Sequence, residues 1–292
     1  MRYFITSFAL CLFAFIFCTA EASTPEVEKG NNYYYGTNGC QQSYSDAFYW
    51  YKKAAEKGDA EGLTYLGVCY LVGNGVAVDE AKAANCFKRA ADKNYAAAQS
   101  MLGRCYEYEK GVAQDYTQAF YWYKKAAEQG YSPGQYNLGT SYLFGRGVEQ
   151  DEEKAVYWFK KAADQGNVDA QYDLGVYYFD VESMQGSTDG GKSVYWYKQA
   201  AENGSVTALH NLGVCYEWGV GVSPDPTQAF YWFKKAAENG DANAQYLVGL
   251  KYETGKGVAQ DKTQALYWYK KAAEQGHPAA QNSIKELEES SR

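Results

Sequence analysis

The chain repeats itself. Trp50, Cys86, Trp122, Trp158, Trp196, Trp232 and Trp268 hold one place in successive copies of a segment that reads Tyr121-Trp122-Tyr123-Lys124-Lys125-Ala126-Ala127-Glu128-Gln129-Gly130 in its third copy. The spacings are 36, 36, 36, 38, 36 and 36 residues. A period of this size excludes most folds. Each unit is too small to bury its own apolar face and must lean on its neighbours in an array.

Within each unit the pattern predicts two helices, here called A and B. The Ala-Ala-Glu core of the repeated segment is strongly helix-forming. Gly follows it at 58, 130, 166, 204, 240 and 276, and Asn at 94. These are the residues that tolerate the left-handed conformation at a helix C-terminus. The B helix is expected to start after Asp79, Asp115, Asp151, Asp189, Asp225 and Asp261, because Asp is a favoured N-cap. Gln stands three residues after Asp115, Asp225 and Asp261, which makes a capping box.

The A helix carries Leu66-Gly67, Leu102-Gly103, Leu138-Gly139, Leu174-Gly175 and Leu212-Gly213, with Val248-Gly249 as a variant; Tyr follows three residues after each Gly. Gly in mid-helix costs about 1 kcal/mol against Ala. Its recurrence implies a close helix-to-helix approach that offsets the cost. A Gly-x-Gly-Val turn at 73–76, 145–148, 219–222 and 255–258 joins A to B. Residues 23–42 read as a degraded N-terminal cap and 43–289 as the array. Ile284 and Leu287 share one face of a polar last A helix, and 290–292 are expected to fray. The fourth unit lacks the Gly-x-Gly-Val turn, so residues 180–189 read as an irregular loop.

The first 22 residues have a different character. Arg2, an apolar run from Phe4 to Cys18 and Ala20-Glu21-Ala22 make a secretory signal peptide cleaved before Ser23. The competing reading is a signal anchor. Export would place the chain outside the cytoplasm, secreted or periplasmic, or in the endoplasmic-reticulum lumen of a eukaryote. No membrane span is expected after cleavage. Cys40, Cys69, Cys86, Cys105 and Cys215 then remain. Their odd number leaves at least one thiol unpaired within the chain, and a bridge from an A-helix Cys to Cys86 is the favoured pairing if one forms. Net charge is −7, and no basic run is present, which argues against nucleic acid.

Taken together, the A-x-x-x-L-G-x-x-Y helix, the Gly-x-Gly-Val turn, the Asp-x-x-x-Ala entry and the Trp/Phe-x-Lys-x-Ala-Ala-x-x-Gly exit resemble the Sel1-like repeat, a relative of the tetratricopeptide repeat. The resemblance covers roughly Asn32 to Gln281 in seven copies. It implies an all-α, right-handed α-α superhelix whose members act as protein-binding adaptors. A cysteine-rich bacterial branch of the family bridges its helices with regular Cys pairs, and some of its members are described as β-lactamases. The regular pairing is missing here. Binding or hydrolysis of β-lactams or cell-wall fragments is therefore the runner-up.

Motifs for chemistry are weak. Residues 186–193 fit the Walker A pattern, but a helix precedes them where a P-loop needs a strand, and Lys192 aligns with the ordinary repeat Lys154. His210 takes a position held by Tyr in other units and reads as a packing residue; neither it nor His277 has a metal-ligand partner at helical spacing. No cofactor or catalytic residue is implied. Asn203-Gly204-Ser205 is a glycosylation sequon.

The positions that vary between units are a better guide. In the A helix they are the residue before Leu and the residue two after Gly, four apart and so on one face. They pair as Tyr65/Cys69, Met101/Cys105, Asn137/Ser141, Asp173/Tyr177, Asn211/Cys215 and Leu247/Lys251. In the resembled family A helices line the concave side, so these twelve are the candidate groove for a protein or peptide. The plain reading is unconstrained surface. The recurrent Trp is expected to pack between layers. The chain thus reads as an exported, non-catalytic interaction scaffold.

Overall fold

The computed structural model describes residues 23–186 and 191–289. The expected signal peptide, the last three residues and Asp189 lie outside them. Among the described residues there are fifteen α-helices and no strand. They belong to two compact units, the chain being divided between Ala162 and Ala163.

The first unit holds α1 (Pro25–Tyr35), α2 (Tyr44–Glu56), α3 (Ala60–Val72), α4 (Glu80–Ala91), α5 (Ala96–Glu107), α6 (Tyr116–Glu128), α7 (Ser132–Phe144) and α8 (Glu152–Ala163). The second holds α9 (Val168–Gln185), α10 (Lys192–Glu202), α11 (Val206–Trp218), α12 (Pro226–Glu238), α13 (Ala242–Thr254), α14 (Lys262–Glu274) and α15 (Ala280–Glu289). Odd-numbered helices are A and even-numbered are B. In each unit an A helix packs on its own B helix, and that B helix packs on the next A helix.

The helix boundaries follow the capping chemistry. Asp79, Asp115, Asp225 and Asp261 each accept a bond from a first-turn amide with their side chain, and Asp151 accepts from the Lys154 amide. The glycines after the repeated segment, and Asn94, all have positive φ.

The mid-helix glycine is explained by a ring. A methyl at Gly67, Gly103, Gly139, Gly175, Gly213 or Gly249 would lie 2.5 to 2.7 Å from the aromatic ring of Phe87, Tyr123, Phe159, Tyr197, Phe233 or Tyr269 respectively. Each ring comes from the B helix of the same hairpin. It is the residue after the recurrent Trp position, and it is fully or almost fully buried. The pattern reaches further toward the N-terminus than the motif does. α1 has no Leu-Gly pair, yet Gly30 faces the ring of Tyr51 at 2.5 Å. The recurrent Trp itself packs less deeply: Trp122 and Trp268 are buried, and Trp50, Trp158, Trp196 and Trp232 half-buried.

Successive hairpins meet through the turns. A methyl on Gly75, Gly111, Gly147 or Gly257 would fall 2.0 to 2.2 Å from the carbonyl oxygen of Tyr44, Glu80, Tyr116 or Pro226, each the first residue of the preceding hairpin's B helix. All four glycines also have positive φ.

A second tie was not visible as a motif. Gln99, Gln171 and Gln245 are buried, and each donates its side-chain amide to a late carbonyl of the preceding B helix, at Ala91, Ala163 and Ala237. Each also accepts at its side-chain oxygen from the residue that closes the next B helix. Gln129 donates at 2.6 Å, Asn203 at 2.9 Å and Gln275 at 2.8 Å. Buried amides need such partners, since an unmade bond costs about 1–3 kcal/mol. Asn203, the sequon asparagine, thus belongs to this ladder.

The fourth hairpin departs from the expected loop. α9 has 18 residues, against 12 or 13 in α3, α5, α7, α11 and α13. Residues 180–185 are therefore helical, and Gly186 ends the helix with φ 61°. The extension carries its own cap for the next helix. Glu182 is buried, and its carboxylate accepts from the Lys192 amide (2.8 Å), the Ser193 amide (3.3 Å) and the Ser193 hydroxyl. A carboxylate at a helix N-terminus is favourable for the same reason as an Asp cap. It also occupies the Lys192 and Ser193 amides, which a phosphate bound by the Walker-like letters would need. Lys192 lies 5.1 Å over the Tyr178 ring, as Lys154 lies 5.5 Å over Tyr142.

Candidate protein-interaction surface

The two proposed rows of the A helix separate in the structure. Of the residues before Leu, Asn137, Asp173, Asn211 and Leu247 are half-buried, while Tyr65 and Met101 are buried. Of those two after Gly, Cys69, Cys105, Ser141, Cys215 and Lys251 are buried and only Tyr177 is half-buried. Seven of the twelve side chains are thus taken up by packing and are not presented to a ligand.

The reason is angular. A helix turns about 100° per residue. Moving four residues on rotates a side chain about 40° forward, and moving three on rotates it about 60° back. The row two after Gly therefore swings toward the neighbouring hairpin. The rows one and five after Gly swing outward with the row before Leu, except at Val68, which is buried. In the first unit this outward stripe ends in Tyr108 at the C-cap of α5 and Phe144 on α7, 49% and 52% exposed. In the second it includes Trp218 on α11, 70% exposed, and Leu250 on α13, 37% exposed. The signal for these residues was in the sequence. Positions one and five after Gly vary as much as the chosen pair: Val68, Arg104, Thr140, Val176, Val214, Leu250 and Val72, Tyr108, Phe144, Asp180, Trp218, Thr254.

Behind the stripe, polar groups are paired off between neighbouring hairpins. Glu107 takes the Tyr123 hydroxyl at 2.6 Å and Arg146 of the next hairpin at 2.5 Å. Glu217 takes Lys251 and Lys256 of the next hairpin. Burial pushes the Glu217 carboxyl up, but its bonds from the two ammonium groups outweigh this and hold it below the usual range. His210 packs edge-on to Phe233 at 5.4 Å, and its Nδ1 lies 3.3 Å from Asp241, as expected of a packing residue. Desolvation also opposes charge on Asp241, yet the His210 contact and the Ala244 amide keep its carboxyl low.

The B helices present a different face. Tyr49, Tyr121, Tyr157, Tyr231 and Tyr267 are exposed, and each has the Lys four residues on at 4.7 to 5.4 Å from its ring centre. The same pair recurs in five of the seven hairpins, α4 and α10 being the exceptions, so this face offers little to discriminate partners.

The five cysteines among the described residues are free thiols. Burial pushes Cys69, Cys105 and Cys215 up to about 12 and Cys86 up to about 11. Thiols held protonated are poor nucleophiles and poor metal ligands. Among the described residues no group of three or more His, Cys, Asp or Glu side chains could hold a metal ion, and no helix is long and apolar enough to cross a membrane.

Comparison with known proteins agrees with this architecture. The Sel1 repeat family model matches residues 30–59, 60–95, 96–131, 132–167, 168–205, 206–241 and 242–277. A Sel1 repeat protein from Oxalobacter formigenes is similar over 90% of this chain and 76% of its own, with 33% identity and a TM-score of 0.72. An immunity protein from Pseudomonas aeruginosa, Pa5087, shares the fold at 19% identity and a TM-score of 0.51, over 75% of this chain and 83% of its own. The cysteine-rich protein B of Helicobacter pylori matches 44% of this chain and 92% of its own at 29% identity, with a TM-score of 0.36. No curated protein sequence matches the chain.

Proposed function

This chain belongs to the Sel1 repeat family, and we propose that it is an exported, non-catalytic adaptor that binds a protein or peptide partner on the outward stripe of its A helices. Sel1 repeat proteins are in general protein-interaction scaffolds. The observation that carries the reading is a contrast between layers. The ring-on-glycine packing is the same in hairpin after hairpin, while the stripe in front of it changes from hairpin to hairpin and exposes Tyr108, Phe144, Trp218 and Leu250. A rigid support with a variable aromatic surface is what selective protein binding requires, since aromatic anchors dominate interface energetics. Export rests on residues 1–22 and places the partner outside the cytoplasm.

The test is site-specific photo-cross-linking in the producing cell. A photoreactive residue is placed at 108, 144, 218 or 250 on the stripe, or at 121, 157 or 231 on the B helices. Partner adducts at the stripe positions and not at the B-helix positions are expected. Adducts confined to the B helices, or none in any compartment, would reject the surface.

A further inference from the structure

In the second unit the stripe has a sign. The A helices α9, α11 and α13 lie side by side: Tyr172 of α9 meets Asn211 of α11 at 3.4 Å, and Glu217 of α11 is clasped by Lys251 of α13. The outward positions of α9 are Asp169, Asp173, Val176 and Asp180. Those of α11 are Thr207, Asn211, Val214 and Trp218, and those of α13 are Asn243, Leu247, Leu250 and Thr254. Among these twelve positions there are three carboxylates and neither Lys nor Arg. The one lysine nearby, Lys251, is buried and turned to Glu217. The corresponding positions of α3, α5 and α7 in the first unit contain Glu61 and Arg104 and are balanced. Asp180 and Trp218 hold the same place on adjacent A helices, and such helices pack about 8–10 Å apart.

We propose that the α9–α11–α13 face is the docking site for an extended, arginine-bearing segment of the partner protein. This deepens the scaffold reading and rests on it. The occupant follows from charge and shape together. A guanidinium can lie on the exposed Trp218 ring and reach the Asp180 carboxylate, joining a cation–π contact to a charge-assisted bond. Val176, Val214 and Leu250 take the apolar residues that alternate with the arginines in an extended strand. An acidic segment would meet three like charges, which selects against it.

The experiment is a fluorescence-anisotropy titration of the full chain with a labelled peptide of alternating Arg and Ala, beside its Glu/Ala counterpart. The Arg peptide binds, the Glu peptide does not, and added salt weakens the complex. Asp169→Asn with Asp180→Asn, and separately Trp218→Ala, each weaken binding about tenfold or more, the effect of losing a desolvated charge or aromatic contact. A control of equal charge change on the other face, Glu128→Gln with Glu238→Gln, changes it by less than about twofold, as exposed rim charges do. Circular dichroism verifies that every variant is folded. Equal loss in the control, or no binding of the Arg peptide, overturns the proposal. A photo-adduct at position 218 to a segment without basic residues also overturns it, yet leaves the scaffold reading standing. Absence of adducts at every stripe position removes both.

Discussion

Replacing Gly103 by Ala tests the ring-on-glycine packing. The added methyl would lie 2.6 Å from Cδ1 and Cε1 of Tyr123 and 3.2 Å from the carbonyl oxygen of Ala119. Carbon contacts settle at about 3.5–4.0 Å, so the ring must retreat by about 1 Å. Overpacking of this kind costs about 1–3 kcal/mol. Retreat also breaks the 2.6 Å bond from the Tyr123 hydroxyl to Glu107, which costs a further ~1–3 kcal/mol in a buried site. Relief of the helical glycine returns about 1 kcal/mol. The sum is a net loss of about 3 kcal/mol, within a range of about 1–5. Gly139→Ala meets Phe159 at 2.7 Å with no hydroxyl to displace, so it loses only about 0–2 kcal/mol. Urea unfolding followed by circular dichroism gives the midpoints. The two units need not melt together, so hydrogen exchange in α5 and α6 reports the local effect. In a Tyr123→Ala background the ring is gone, and Gly103→Ala should change sign and stabilise by up to ~1 kcal/mol. A Gly103→Ala variant no weaker than Gly139→Ala, with the same sign in both backgrounds, would falsify the mechanism.

Two further predictions concern titratable groups. Of the five cysteines after residue 22, only Cys40 is outside the core; a thiol reagent near neutral pH should label it in the folded protein and reach the other four only after denaturant is added. Burial raises the phenol pKa of Tyr51, Tyr65, Tyr123, Tyr197 and Tyr269 above the ordinary value of 10.0. The unfolded chain therefore releases these protons first, so their contribution to stability is complete below about pH 10 and falls as pH rises beyond it. An alkaline titration should show the phenolate absorbance of these five appearing together with loss of the helical signal, and their ionisation in a fully helical protein would contradict their burial.

The hairpin and its caps were legible because they rest on local chemistry. Asp at the start of a B helix and Gly at its end report one turn of backbone each, and both behave as read in α6, while α10 starts three residues after Asp189, with Gly191 as its N-cap. The Leu-Gly pair announced a close approach without naming the ring, because the partner comes from a different helix. The proposed interaction stripe was half legible. Spacing of four placed Tyr65 and Cys69 on one face, but spacing alone does not say where that face ends, and the edge falls between the two rows. Tyr65 and Met101 are buried as well, so the outward row is itself closed in the first two full hairpins. Glu182 could not be seen at all, since its value lies in a helix that runs beyond the usual length to reach a neighbour's first amides.

The glycines of the interhelical turns have an evolutionary corollary. Gly111 and Gly147 sit against main-chain oxygens of the hairpin before them, so the step from one hairpin to the next is dictated by peptide atoms common to every residue type. Mutations on the stripe leave that step untouched. Hairpins can then be duplicated, deleted or exchanged between relatives with their stripe residues intact, and new surfaces can be assembled by recombination without rebuilding a core.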